Sequence, residues 1–375
     1  MSFKPELSML TRRKLLTATA AGVSLTALGG SRHAFAANPT VRWVSPRGTV
    51  EVLDDYPYWV AKKFGYFDDI DTTLEPGPLE ATATVKLVDQ GQADMGYPSP
   101  GVFSLALAQG IPLVSVFQMG GADVFDLAFR KGEKPQSLKV LEGKTVVLGS
   151  AGWQAITNPL LTEAGVDTTK VNYVEAGNGW AQALSQGKGD AALSWEGLRA
   201  QWRGQGLDFD YILGKSFSKF PANSFVIRKA DFADADKKKL YARYLRGWAM
   251  GLEFGRDNPR AATHIVMQQF PGLASQMTPA IATDSQMELA AAFAGRWDER
   301  KKWGFHILSS WQLFFDISKK IGQLQTELKA ADVIKNDLID GANDFDHAKV
   351  KTDAAGYALP AEYKAVNVEV IEKSL

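Results

Sequence analysis

The chain of 375 residues contains no cysteine and only four histidines. The first absence excludes disulfide bonds, thiolate-held metals and a cysteine nucleophile. The histidines (His33, His264, His306 and His347) offer no pair at helical ligand spacing, so no metal site is expected. Charge of one sign is missing too: 42 basic residues face 42 acidic ones. Beyond the N-terminal segment the densest basic run is Lys237-Lys238-Lys239, which reads as the solvated start of a helix. Nucleic acid and anionic membrane surfaces are therefore not expected partners. Long apolar runs are also lacking, because the stretch Leu15 to Leu28 is diluted by Thr, Ser and Gly and is too short for a comfortable membrane span.

What is present begins with an export signal. Arg12-Arg13-Lys14, the moderately apolar run and Ala34-Phe35-Ala36 form a signal peptide over residues 1–36, with cleavage expected after Ala36. The arginine pair resembles a twin-arginine signal, the general secretory route being the alternative. No cysteine follows the apolar run, so attachment by the lipoprotein route is excluded.

The remainder writes one pattern twice. "LVDQGQADMGYPSPG" (87–101) returns as "ALSQGKGDAALSWEG" (183–197), in each case a helix end, a glycine stop, an aspartate and a short apolar strand. Around these copies strands and helices alternate: strands at 40–46, 94–96, 112–118, 144–150, 171–177, 190–195 and 224–227, with helices at 57–67, 81–91, 100–110, 153–165 and 180–187. The alternation predicts an α/β fold of two lobes with mostly parallel sheets and a cleft between them. Lobe 1 is expected over 37–119 and lobe 2 over 120–221, with 222–375 returning to lobe 1 and adding C-terminal helices. The return opens with a long helix near Asp234 carrying Leu240, Tyr244 and Trp248, followed by helices at 257–270, 280–296 and 306–329. Asp94 and Asp190 read as polar turn residues ahead of buried strands.

The residues "AKKFGYFDD", "VDQGQADMGY", "LEGKTVVLGS" and "LSQGKGDAALSW", in this order in an exported chain, resemble a periplasmic substrate-binding protein of an ABC importer. The branch they resemble is the nitrate, sulfonate, taurine and thiamine-pyrimidine group. The resemblance runs from about Val41 to Ile227 and more loosely beyond. It implies a type II periplasmic-binding-protein fold and a periplasmic monomer. This protein would close on a small molecule and deliver it to a permease and its ATPase in the inner membrane, with no cofactor and no catalysis. An enzyme of the related pyrimidine-synthase branch is the alternative from another class, but its cysteine-rich iron motif has no counterpart here. A ligand-loaded sensor partner is a third possibility.

Ligands of open α/β sheets bind beyond the carboxyl ends of strands, so the loops there supply the candidates. Helix starts near Gly101 and Trp153, with the hydroxyls of Ser99 and Ser150, would suit an anionic group. Tyr56, Tyr97, Trp153, Trp180 and Trp195 would give flat surface for a ring or alkyl chain. Asp55 and Glu196 would pair with an amine and Arg47 with an acid, while Gln154, Asn178 and Asn223 would add hydrogen bonds. Plain nitrate is disfavoured by the aromatic loops and by the Asp54-Asp55 pair.

Overall fold

The computed structural model describes residues 37–78 and 82–372; the expected signal peptide lies outside the described residues. The first four strands are β1 (Thr40–Val44), β2 (Asp71–Glu75), β3 (Met95–Gly96) and β4 (Leu113–Gln118). The next five are β5 (Phe125–Arg130), β6 (Thr145–Leu148), β7 (Asn172–Glu175), β8 (Ala191–Trp195) and β9 (Phe209–Leu213), and β10 (Ser224–Arg228) follows. They make two five-stranded sheets, ordered β2-β1-β3-β10-β4 and β7-β6-β8-β5-β9.

The two orders match slot for slot, and the matching explains a departure from the expected parallel sheets. β1 runs parallel to β2 and β3, and β6 runs parallel to β7 and β8. The chain leaves the first sheet after β4 and enters the second as β5, antiparallel to β8 and β9. It leaves again after β9 and returns as β10, antiparallel to β3 and β4. A strand that enters from the opposite lobe arrives at the carboxyl-end side and must run backwards through the sheet. Each lobe thus owns a strand delivered by a crossover, and the segments 119–124 and 214–223 are the two crossovers.

Local structure follows the glycine punctuation. The helices are α1 (Tyr56–Phe64), α2 (Ala83–Asp89), α3 (Pro100–Ala108), α4 (Gln154–Glu163), α5 (Trp180–Ser185) and α6 (Leu198–Gly204). After α2 and α5 the repeated motif places Gly91 and Gly187 at φ 72° and 75°, conformations that cost a side-chain-bearing residue steric strain. The aspartates that follow do the same job in both lobes. Asp94 Oδ2 accepts the Arg42 N–H at 2.8 Å while its own N–H donates to the Arg42 carbonyl. Asp190 Oδ2 accepts the Thr145 N–H at 2.9 Å and its N–H donates to the Thr145 carbonyl. Each clips the start of its strand to the neighbouring parallel strand, so the recurrent aspartate is structural and the loop at the far end of the strand is left for function.

The C-terminal part comprises α7 (Lys229–Ala233), α8 (Ala235–Asp257), α9 (Pro259–Gln269), α10 (Pro271–Ala274), α11 (Pro279–Ala294), α12 (Trp297–Arg300) and α13 (Leu308–Lys320), then short helices. Helix α13 ends well before residue 329, with Gly322 at φ 76° beyond it. Helix α8 is capped by Asp234, whose Oδ1 accepts the N–H groups of Asp236 and Lys237. Its buried face carries Gly247, Gly251 and Gly255 one turn apart, and α1 and the residues after it lie directly on those glycines. Trp248 joins Trp43 and Phe225 at ring separations of 5.2 and 4.8 Å in the core of the first lobe. Among the described residues no helix is long and apolar enough to cross a membrane.

Candidate functional site

A cavity of about 140 Å³ lies between the lobes, where the carboxyl ends of β1, β3 and β8 face one another. That volume accommodates a small organic molecule rather than one water. Pro46 and Arg47 follow β1, Tyr97 to Ser99 follow β3, and Trp195 and Glu196 end β8. Met119, Val124 and Phe125 come from the first crossover and the start of β5, and Asn223 from the second crossover. Trp153 and Ile156 reach it from α4 and the turn before it, and Leu289 and Phe293 project from α11.

Of the residues singled out from sequence, Arg47, Tyr97, Ser99, Trp153, Trp195, Glu196 and Asn223 meet at this cavity. Five do not. Asp55 is fully buried behind Arg47. Tyr56 is buried against the Phe293 ring, 6.0 Å between centroids, and under Gly255. Ser150 is occupied in accepting the Gly152 N–H, and Asn178 is exposed in the turn Gly177–Gly179. Gln154 lines a separate open groove shared with Ala155 and Gln323. Trp180 stands one layer back, stacked on Trp195 at 5.7 Å, with its Nε1–H donated to the Leu193 carbonyl.

The expected anion site at the helix starts is not open. The Ser99 hydroxyl accepts the Val102 N–H at 3.3 Å. A Cβ on Gly101 would lie 2.3 Å from the Ala155 carbonyl oxygen, so the start of α3 is closed off by α4 of the other lobe. Sequence reasoning noted Asp54 without choosing it as a contact, and missed Phe125, Leu289 and Phe293 on the wall. Asp54 adjoins a residue that was chosen, but the α11 pair carries no local mark, since an apolar pair four residues apart reads as any core face.

Charge on the wall is heavily committed. Arg47 Nη2 lies 2.5 Å from Asp55 Oδ1, and Nη1 lies 3.6 Å from Asp54. Burial alone would lower the Arg47 pKa, but the two carboxylates more than reverse this and hold the guanidinium charged. Glu196 is fully buried and sits 2.6 Å from Arg199 Nη2 and 3.1 Å from Lys215 Nζ. Glu288 of α11 accepts the Gly197 N–H at 2.9 Å, tying the start of α6 to α11. Burial, opposed by Arg199, pushes the Glu288 carboxyl up to about 7. The second crossover is tied to the first where Ser218 donates to Asp123 Oδ2 at 2.7 Å, and to β5 where the Gly214 N–H donates to Asp126 Oδ1 at 3.0 Å.

Over residues 54–262 the chain matches the family model described as NMT1/THI5 like. It belongs to the NMT1/THI5-like family. Among solved structures, this NMT1/THI5-like chain is similar to the alkanesulfonate-binding protein SsuA from Xanthomonas axonopodis pv. citri bound to MOPS. The identity is 14%, covering 80% of this chain and 100% of that one, at a TM-score of 0.59. It is similar also to the periplasmic nitrate-binding protein NrtA from Synechocystis PCC 6803, with 11% identity, 86% and 91% coverage and a TM-score of 0.59. The NMT1/THI5-like chain therefore has the two-lobed α/β fold of periplasmic binding proteins. It matches no curated protein.

One constellation in this family member looks enzymatic and is sealed. The Ser115 hydroxyl donates to His306 Nε2 at 2.7 Å, and His306 Nδ1–H donates to Asn336 Oδ1 at 2.9 Å. Ser115 and His306 are both fully buried, and neither lines the cavity, so no substrate reaches the pair. The trio fastens the C-terminal segment to β4, where the Lys335 N–H also donates to the Ser115 carbonyl. Burial, opposed by the Asn336 hydrogen bond, lowers the His306 pKa from 6.5 to about 3. The unfolded chain therefore takes up the proton first, and stability falls as pH drops below 6.5. Between pH 7 and pH 5 this histidine alone is expected to remove about 2 kcal/mol of stability. In urea titrations His306→Gln should show that much less pH dependence over this interval; parallel curves for the two proteins would refute the assignment.

Proposed function

We propose that the protein is the extracytoplasmic solute-binding component of an ABC importer, exported to the periplasm, where it captures a small organic molecule between its lobes. The observation that carries this reading is a single cavity walled from both lobes and by both crossovers. A ligand there gains its full set of contacts only when the lobes are together, so binding shifts the balance towards the closed form, the form a permease would receive. The reading is of a binding protein and not an enzyme. The alkanesulfonate and nitrate proteins of similar fold support solute capture. The apolar and aromatic wall favours a sulfonate, a taurine-like molecule or a pyrimidine or other aromatic ligand over an inorganic anion. Permease and ATPase are the expected partners.

Thermal unfolding of the purified protein across sulfonates, taurine, nitrate, pyrimidines and aromatic acids and amines tests the proposal. A ligand at a hundred times its Kd should stabilise the fold by about 2.7 kcal/mol. Trp153→Ala and Trp195→Ala should each weaken binding by about 2 kcal/mol, roughly thirtyfold, because each removes one aromatic face of the wall. Their circular dichroism should stay that of the parent. A panel in which every class leaves the midpoint unmoved would overturn solute capture, and unchanged affinity in both variants would remove the tryptophans from the site.

A further inference from the structure

The cavity wall carries two carboxyl groups, Asp54 and Glu196, among five aromatic side chains, and from this juxtaposition we propose that the ligand is an organic cation, an ammonium group on a compact apolar body. The inference rests on the solute-binding reading and, among the organic ligands named there, sets the sulfonates aside. Tyr97, Phe125, Trp153, Trp195 and Phe293 all reach the cavity. A ring face carries negative potential, so a cation set against it is attracted and an anion repelled, most strongly where water is excluded.

The charges around the cavity point the same way. Asp54 and Glu196 line it directly. Arg47, the basic residue on the wall, is already engaged by Asp55 and Asp54. On the opposite side Arg199 and Lys215 serve Glu196, but Arg199 also lies 3.7 Å from Glu288. Asp126 adds a further buried carboxyl, and its Oδ2 has no hydrogen-bond partner among the described residues. Two more charges sit behind the wall. Asp123 accepts from Phe125 N–H and Ser218, and Arg300 donates to the carbonyls of Phe293, Phe305 and Gln118. Even with Arg300 counted, the carboxyl groups Asp54, Asp55, Asp123, Asp126, Glu196 and Glu288 outnumber the cations Arg47, Arg199, Lys215 and Arg300, and burial pushes Asp123 and Glu288 up to about 7, towards their neutral forms.

Burial holds several of these carboxyl groups towards their neutral form. Burial first, and then the neighbouring Glu196, push Asp126 well above the usual carboxylate range. A cation in the cavity would favour the ionised form of these carboxyl groups, whereas a sulfonate or nitrate would oppose it. Among the described residues no group of three or more His, Cys, Asp or Glu side chains could hold a metal ion. The ring faces suit an alkylated or aryl ammonium, which is weakly hydrated and sheds its water readily.

Calorimetry and thermal unfolding of the full protein with charge-matched probes test the inference. One pair is choline and its uncharged carbon isostere 3,3-dimethylbutanol; one series is benzylammonium, benzyl alcohol and benzenesulfonate. In each set the ammonium compound should bind at least tenfold more tightly than the neutral one, and benzenesulfonate should be the weakest. Glu196→Gln should cut the cation-to-neutral preference at least tenfold. Asp54→Asn, on the more accessible wall, should reduce it in the same direction and serves if Glu196→Gln does not fold. Tighter binding of benzenesulfonate than of benzylammonium would refute the cation and leave solute capture standing. A preference that survives both substitutions would refute it too, as would failure of every probe to bind; solute capture itself falls only if the wider panel of the preceding section also leaves the midpoint unmoved.

Discussion

Arg47→Leu is expected to destabilise the protein by about 3–5 kcal/mol, far more than the loss of an exposed charge. The reason is what the arginine leaves behind. Asp55 is fully buried, its Oδ1 is 2.5 Å from the guanidinium, and its Oδ2 has no hydrogen-bond partner among the described residues. Burial already raises the Asp55 pKa, with Arg47 the main influence holding it down. Without the arginine the carboxyl pKa rises further, so the variant's deficit should be smallest in acid, where Asp55 is protonated in both states, and should grow as pH rises. Urea unfolding at pH 5 and pH 8 measures both the cost and its direction. The double variant Arg47→Leu/Asp55→Leu should recover most of the lost stability, because a pair removed together leaves no orphaned charge. A double variant no more stable than the single one would show that the cost lies in packing and not in the unpaired aspartate.

Gly251→Ala should cost at least about 3 kcal/mol, although alanine is the better helix former by about 1 kcal/mol. A Cβ at this position would stand 2.1 Å from the Pro57 carbonyl oxygen and 2.7 Å from two further backbone atoms of α1. Backbone cannot move aside as a side-chain tip can, so α1 and α8 would have to separate. Gly247 and Gly255 also lie under α1 and the residues after it, but there the close atoms belong mainly to the rings of Phe67 and Tyr56. Their alanine variants should lose less. Gly356→Ala, at the end of the helix His347–Gly356 with open space around it, is the control and should change stability by no more than about 0.5 kcal/mol. Calorimetric melting of the set checks the order. Equal midpoints for Gly251→Ala and Gly356→Ala would mean that the helices do not approach as closely as the structure has them.

Much of the local architecture was legible because it rests on short-range chemistry. Gly65, Gly91, Gly110 and Gly187 end helices in positive-φ conformations that the residue type announces. The repeated glycine and aspartate mark the same turn into a strand in both lobes. The rule that ligands gather at strand ends then selected loops that do meet, and Arg47, Tyr97, Ser99, Trp153, Trp195, Glu196 and Asn223 came from those loops.

The sequence by itself determined where the strands and helices of the repeated motif fall and which residues punctuate them, since each depends on backbone preferences and on neighbours a few positions away. Only the tertiary structure decided the rest. Asp55 and Asp54 are adjacent in the chain, yet one is sealed behind Arg47 and the other faces the cavity, a difference of side-chain direction that no spacing encodes. Strands β5 and β10 run antiparallel because the chain crosses between lobes, and Leu289 and Phe293 complete the wall from α11, far along the chain. The excess of carboxyl groups around the cavity is likewise invisible in a chain with equal numbers of basic and acidic residues, because it arises from which carboxyl groups the fold buries together.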